Sequence, residues 1–304
     1  MAAEGEVARL PLDKKAAERE LGIARSYLRM VASRFFRHRL AMIGLIMVIL
    51  VGVVTILASQ LAPYEPNAFR IKDRFTPPLQ PGHILGTDEM GRDMVSRLLY
   101  AGRISLVVGM VAMLVTVLIG SAIGSVSGYY GGAVDSVLMR FTDTLLAFPT
   151  VFLLLVLAAF IRPSVVSIAV IIGATAWMEV ARIVRGLVMS LREQDFITAA
   201  RCVGVQDVRI IFRHLMPNTI SPILVAATMN VAYAVLMESY ISYVGYGIQP
   251  PAASWGNMLN NAQAYFDTAP WLAILPGLMI TLTVMGFNFV GDGLRDSLDP
   301  RLWR

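Results

Sequence analysis

Charge is scarce in this 304-residue chain: Asp, Glu, Lys and Arg make up 15% of it, against 56% hydrophobic residues and a mean hydropathy of +0.64. That balance excludes a soluble protein of this length and points to a polytopic membrane protein. Cysteine occurs once, at Cys202, so there is no intrachain disulfide and no paired-thiol redox chemistry. The three histidines, His38, His83 and His214, stand far apart, and no His or Cys pair has ligand spacing, which argues against a fixed metal site. His83, Asp88, Glu89 and Asp93 could gather an ion, but the preferred reading is a capped turn leading into a helix. There is no GxxxxGK[ST] phosphate loop and no GxSxG elbow, so neither ATP binding of that kind nor serine hydrolysis has a footing. Any ATP energy must arrive through a partner.

What the chain has instead is a series of long apolar runs. Leu40 to Leu61 contains no charge over 22 residues, enough to cross a hydrocarbon core of ~30 Å. Pro63, Pro66, Pro77, Pro78 and Pro81 then interrupt regular structure until TDEMGRDMVSRLLYAGRISL leads into a second span, Ile104 to Tyr130. Within it Gly120, Gly124 and Gly128 recur every four residues, a flat strip for a closely packed neighbour. Gly131, Gly132 and Asp135 read as a turn. Thr144 to Ile161 reads as a third span with a kink at Pro149. The fourth starts at Pro163 and must pass Glu179, which is expected to pair with Arg182 on one helix face near the headgroups, a structural ion pair being preferred to a transport role. The fifth is Thr219 to Met237, with Asn230 near its middle, and the sixth is Pro270 to Gly291. Arg25 to His38 reads as a helix lying on the inner membrane surface, with Leu28, Val31 and Phe35 on one face.

Orientation follows from basic residues in the loops. With the N-terminus inside, cytoplasmic pieces carry eighteen Lys and Arg and outer pieces seven, favouring both termini in the cytosol. The opening lacks the apolar core and cleavage site of a signal peptide, so residues 1–39 are expected to remain as a cytosolic segment. Net charge of +5 fits anionic lipid better than nucleic acid. Tyr240, Tyr243, Tyr246, Trp255 and Trp271 suggest an outer aromatic belt.

Between the fourth and fifth spans lies a polar island, QDFITAARCVGVQDVRIIFRHLMPNTISP, from Gln194 to Pro222. Asp195 can cap a short helix through Ala199 and Ala200, and Gly204 suits a left-handed terminator. Asp207 can cap a second helix, Val208 to Met216, which Pro217 is expected to stop. Ile210, Ile211 and Leu215 would hold this bent knob against the membrane domain, while Arg201, Arg209 and Arg213 face water or a partner.

The Ala199-Ala200 pair, three residues, Gly204, then Ile-Ile-Phe-Arg-His, two residues, and Pro217-Asn218 resembles the EAA loop of ABC import permeases in its dipeptide and oligopeptide form. Thr198 stands where that family usually has Glu. TDEMGRDMVSRLLYAGRISL, MESYISYVGYGIQPPAASWGNML and FNFVGDGLRDSLDPRL resemble the same permeases, and the likeness covers roughly residues 25–304. The resemblance implies an all-α integral membrane protein with six transmembrane helices in the ABC type I importer fold. It divides into a cytosolic segment 1–39 with an interfacial helix, a first span 40–62, an outer loop and lead-in 63–101, a transmembrane domain 102–293 with coupling loop 194–218, and a cytosolic tail 294–304. It further implies a C-type subunit of the bacterial cytoplasmic membrane, paired with a second, homologous permease. Two cytosolic ATPases would carry ATP and magnesium, leaving this chain without a cofactor or enzymatic role, and an extracytoplasmic binding protein would deliver substrate. Thr198, Ala199, Ala200, Gly204, Ile211, His214, Pro217 and Asn218 are the implied coupling residues; His214, one turn from the proline, is expected to fix the loop by hydrogen bonding rather than to titrate. Asn230 and Glu238 are candidates to line the path.

Peptides are the leading cargo, with nickel, glutathione or another small solute as the alternative on the same scaffold. An ion-coupled secondary transporter would need buried coupling charges in broken helices, whereas the span centres are read as offering only Asn230 and hydroxyls. An intramembrane enzyme lacks a candidate catalytic pair.

Overall fold

A computed structural model describes residues 29–260 and 262–299. Among them the chain is helical with irregular connections, and the only β pairing is two isolated bridges, Gln80 with His83 and Thr87 with Asp93. In order, the helices that matter here are α1 (Arg39–Ile56), α2 (Met94–Tyr130), α3 (Gly132–Leu146), α4 (Thr150–Phe160), α5 (Val165–Arg192), α6 (Asp195–Cys202), α7 (Asp207–Tyr243), α8 (Trp255–Leu259) and α9 (Trp271–Leu298). Five of them, α1, α2, α5, α7 and α9, are long and apolar enough to cross a membrane, and α3 with α4 makes a sixth crossing if the bent pair counts as one span.

That bent pair departs from the expected kink. The turn at Pro149 is a full break, with α3 and α4 meeting at 84°. Proline has no N–H to donate and steers the residue before it out of the helical region, so α3 ends at Leu146 and α4 starts afresh after Pro149. Standing alone, the 11 residues of α4 span only about 16 Å. Other boundaries move outward. The second span begins at Met94, because Asp93 caps it by accepting from Ser96 N at 2.8 Å. The last helix runs on to Leu298, its final turns carrying Asp292, Arg295 and Asp296 beyond the apolar stretch.

The glycine strip is a packing seam. A methyl on Gly120 would stand 2.8 Å from Trp177 O, one on Gly124 2.5 Å from Ala181 O, and one on Gly128 2.7 Å from Arg185 O. Thus α2 lies with its backbone directly against α5, and Val180, Val184 and Val188 fill the ridge beside the strip. Next to the seam, α7 packs on α2, α5 and α9, and α1 covers the outside of α9. Residues 29–37 are helical and His38 caps α1, its Nδ1 accepting from Ala41 N at 3.1 Å. The expected interfacial helix is therefore a helix over its described part, while residues 25–28 lie outside the described residues.

The segment before α2 is a tight polar knot. Asp88 receives Arg92 Nε at 2.6 Å and lies 3.4 Å from Arg97 Nε, and His83 Nδ1 meets Asp93 Oδ1 at 2.9 Å. The four groups singled out there form the capped turn, each carboxylate of the set engaged by a base or a backbone N–H.

Candidate functional site

The polar island folds as two short helices meeting at Gly204, whose φ of +80° is the left-handed conformation that glycine adopts at least cost. The caps sit one residue earlier than expected: Gln194 and Gln206 occupy the cap positions, and Asp195 and Asp207 are the first helical residues. There Asp207 accepts a hydrogen bond from Tyr129 Oη at 2.6 Å. The Arg201 guanidinium lies 5.1 Å over the same tyrosine ring, and Arg192 Nη1 donates to Tyr129 O at 3.1 Å. Tyr129, at the end of α2, is thus the latch between knob and bundle, a role its sequence context did not announce.

Pro217 does not stop the second helix. Residues Ile211–Leu215 widen into a π-turn, Met216 N bonding to Ile211 O, and the helix continues through the proline to Tyr243. Widening the turn accommodates a residue that has no N–H to give, so the knob is rigidly continuous with the fifth crossing. Ile197, Ile210, Ile211 and Leu215 are buried against Val184, Val188, Ile223 and Ala226, as the apolar stripe required. Asn218 Nδ2 donates to His214 O at 2.6 Å. The expected His214 hydrogen bond therefore uses the backbone carbonyl, and no side-chain bond from its ring is made among the described residues.

Thr198, Ala199 and Gly204 lie on the exposed side of the knob, with Ala200 partly covered. Around them four apolar side chains stand open: Val203 at 83% exposure, Phe212 at 70%, Val208 at 61% and Phe196 at 44%. Removing such side chains from water is worth about 1.5–3 kcal/mol each, so this face is suited to a protein partner. Sequence reading assigned the arginines to that face and missed these four, although they are the apolar residues left over once the inward stripe is taken.

Where α4, α5 and α7 meet, a cavity of about 290 Å³ is lined by Thr150, Thr175, Glu179, Asn230 and Tyr233. A second cavity of about 670 Å³ runs from Met229, which the two share, past Ile183, Pro222 and Ser221 to Asn218 at the root of the knob. Asn230, half-buried, lines the first of these cavities. The Glu179–Arg182 pair is not formed, since Arg182 turns to Asp143 on α3, Nη2 to Oδ1 at 2.5 Å, and leaves Glu179 facing the cavity. Glu238 differs from Asn230: it is fully enclosed, accepting from Ser105 Oγ at 2.9 Å and Ser242 Oγ at 2.7 Å. Ser105 Oγ also receives Trp255 N at 3.2 Å, so Glu238 organises the loop after the fifth crossing. Trp255 is likewise no belt residue; it is wholly buried with Nε1 on Leu98 O at 3.1 Å, whereas Tyr240, Tyr243 and Tyr246 are exposed.

Residues 120–304 match the family model described as "Binding-protein-dependent transport system inner membrane component", and residues 26–78 match the N-terminal TM domain of oligopeptide transport permease C. A putative peptide transport system permease protein of Brucella abortus is 39% identical over 281 residues, covering 92% of this chain and 94% of that protein. The oligopeptide transport system permease protein OppC of Haemophilus influenzae is 38% identical over 270 residues, covering 88% and 86%. The glutathione transport system permease protein GsiD of Pectobacterium atrosepticum is 38% identical over 269 residues, covering 88% and 89%. Among solved structures, a chain of the MetNI methionine ABC transporter in inward-facing conformations superposes with a TM-score of 0.52 at 18% identity, over 65% of this chain and 94% of that one. Fold, family model and full-length relatives agree: this multi-pass membrane chain belongs to the binding-protein-dependent transport system inner membrane components, the permease subunits of ABC importers.

Proposed function

We propose that the chain is one permease of a heteromeric ATP-driven importer for di- and oligopeptides, forming half of the translocation path beside a second, homologous permease. Two cytosolic ATPases grip the 194–218 knob, and an extracytoplasmic binding protein delivers the peptide. Both termini are cytosolic. The observation that carries this reading is the knob itself: buried through Ile197, Ile210, Ile211 and Leu215, fused to the fifth crossing, and open to water at Phe196, Val203, Val208 and Phe212. A body so held cannot move without moving α7, and α7 carries Asn230 and Tyr233 on the cavity wall.

Peptide as cargo is supported by the names of the Brucella and Haemophilus relatives. A second reading, glutathione or another small solute, has support in the Pectobacterium relative at similar identity. Purification of the chain with its native partners, followed by reconstitution into vesicles with ATP inside and radiolabelled peptide outside, decides between them. ATP-dependent peptide uptake that requires all subunits is the expected result. Uptake of glutathione without uptake of unrelated tripeptides would install the second reading, and transport by the isolated chain would overturn both.

A further inference from the structure

The cavity between α4, α5 and α7 presents an unusual charge. Glu179 lies 14 residues from the start of α5, and Asn230 lies 14 residues from the start of Met216–Tyr243, so each sits about 21 Å along its helix. Both therefore stand midway along their helices and meet at one depth in the bundle, on the wall of the same cavity. Glu179 is exposed on this face and makes no ion pair among the described residues, because the neighbouring Arg182 is held by Asp143. A carboxylate facing hydrocarbon at that depth is strongly disfavoured, so this face meets water or another protein rather than lipid.

The other lining groups give the cavity its chemistry. Among the described residues no Lys, Arg or His lines it. Asn230 Nδ2 is committed to Ala226 O at 2.8 Å, which leaves its Oδ1 to accept. Tyr233 and Thr150 add hydroxyls to the wall, while the Thr175 hydroxyl is buried on Ile171 O and Ile172 O. From here the second cavity continues by way of Met229 and Ile183, one turn beyond Glu179 on α5, to Asn218 beside the knob. The acceptor cluster thus stands at one end of a groove that leads toward the coupling end.

We infer that Glu179, with Asn230 and Tyr233, is a passing site for the ammonium group of the cargo, a single negative station on this half of the path. The inference rests on the importer reading above and deepens it. A carboxylate and a carboxamide oxygen match a primary ammonium, which offers three N–H donors and one positive charge. One carboxylate, open on one side and without further anions, holds such a group briefly rather than trapping it. The ammonium can be a peptide's α-amino group or a lysine side chain.

The test uses the complete complex in vesicles, comparing the parent with Glu179→Gln and Glu179→Asp. Two tripeptides are followed: Ala-Ala-Ala, whose only ammonium is at its N-terminus, and N-acetyl-Ala-Lys-Ala, whose only ammonium is on the side chain. Co-elution of all subunits and basal ATP hydrolysis establish that each variant is assembled. Glu179→Gln is expected to lower uptake of an ammonium-bearing peptide about tenfold, the loss typical of a charge-assisted hydrogen bond, while Glu179→Asp stays within about threefold of the parent. A loss confined to Ala-Ala-Ala assigns the site to the α-amino group, a loss confined to the acetylated peptide assigns it to side chains, and a loss on both assigns it to any ammonium. Parental uptake by assembled Glu179→Gln, or equal losses in Gln and Asp, overturns the inference while leaving the importer reading intact. If the parent complex imports neither peptide, the peptide-importer reading itself has failed.

Discussion

Replacing Gly124 by alanine adds one methyl group to the tightest contact in the seam between α2 and α5. That methyl would stand 2.5 Å from Ala181 O, 2.8 Å from Val184 Cβ and 3.0 Å from Arg185 N. Two of these three atoms belong to the α5 backbone, which cannot swing aside as a flexible side chain could. Ordinary contact begins near 3.4 Å, so the two helices must part by close to an ångström locally. A gap of 0.5–1 Å forfeits roughly a quarter to a half of each dispersion contact it opens, and overpacking of this kind costs about 1–3 kcal/mol. The gain in helix propensity from glycine to alanine, about 0.5–1 kcal/mol, opposes that cost without cancelling it. Gly186 on α5 is the internal control, because a methyl there meets nothing within 4 Å and receives the same propensity gain. Thermal inactivation of the two variants in one detergent, followed by loss of the monodisperse species, gives the comparison. Gly186→Ala should match or exceed the parent, and Gly124→Ala should fall below it by several degrees. Equal stability of Gly124→Ala and Gly186→Ala would refute the close-packed seam.

Further expectations follow from other contacts. In the parent, Cys202 is the sole cysteine and is exposed; a membrane-impermeant maleimide added to intact cells should leave it unlabelled while labelling Thr268→Cys, at an exposed site before α9. Labelling of Cys202 from outside would reverse the proposed orientation. Asp135 holds Arg185 through bonds of 2.5 and 2.6 Å, and also takes the Ser127 hydroxyl. Asp135→Asn should therefore destabilise the bundle by about 1–3 kcal/mol, through a half-buried arginine left without its charge partner. The more exposed pair of Asp143 with Arg182 is the contrast: Asp143→Asn should change stability by less than about 1 kcal/mol in the same melting assay.

The crossings were legible in the sequence because a bilayer sets their length, and long uncharged runs such as Leu40 to Leu61 have no other good reading. The knob was legible for a different reason: Gly204 and the buried stripe of Ile210, Ile211 and Leu215 are local signals, satisfied within a few residues. What the sequence concealed was long-range. Arg182 is a helical neighbour of Glu179, yet its partner is Asp143 on α3, a choice made by how α5 packs and invisible to i,i+3 spacing. Glu238 looked like a pathway group because carboxylates in crossings usually are, but Ser105, 133 residues away, encloses it. Pro217 looked like a stop because a regular α-helix cannot absorb it, and the π-turn at Ile211–Leu215 is a solution that residue propensities do not encode. Trp255, read as a belt residue, is buried by its hydrogen bond to Leu98 and the packing around it.

The central claim, that the knob couples the ATPases to the path, is tested most directly by a crosslink from Cys202. In the reconstituted complex a short bifunctional thiol reagent should join Cys202 to an ATPase subunit bearing a cysteine in its docking cleft. Gly204→Val puts a β-branched residue at φ +80°, where L side chains are strained by about 1–2 kcal/mol, yet it meets no neighbouring atom within 4 Å and leaves the buried stripe untouched. The account predicts that this variant inserts and pairs with the second permease as the parent does, loses the Cys202 crosslink, and loses ATP-driven uptake with it. Crosslinking and uptake at parental levels in Gly204→Val would contradict it.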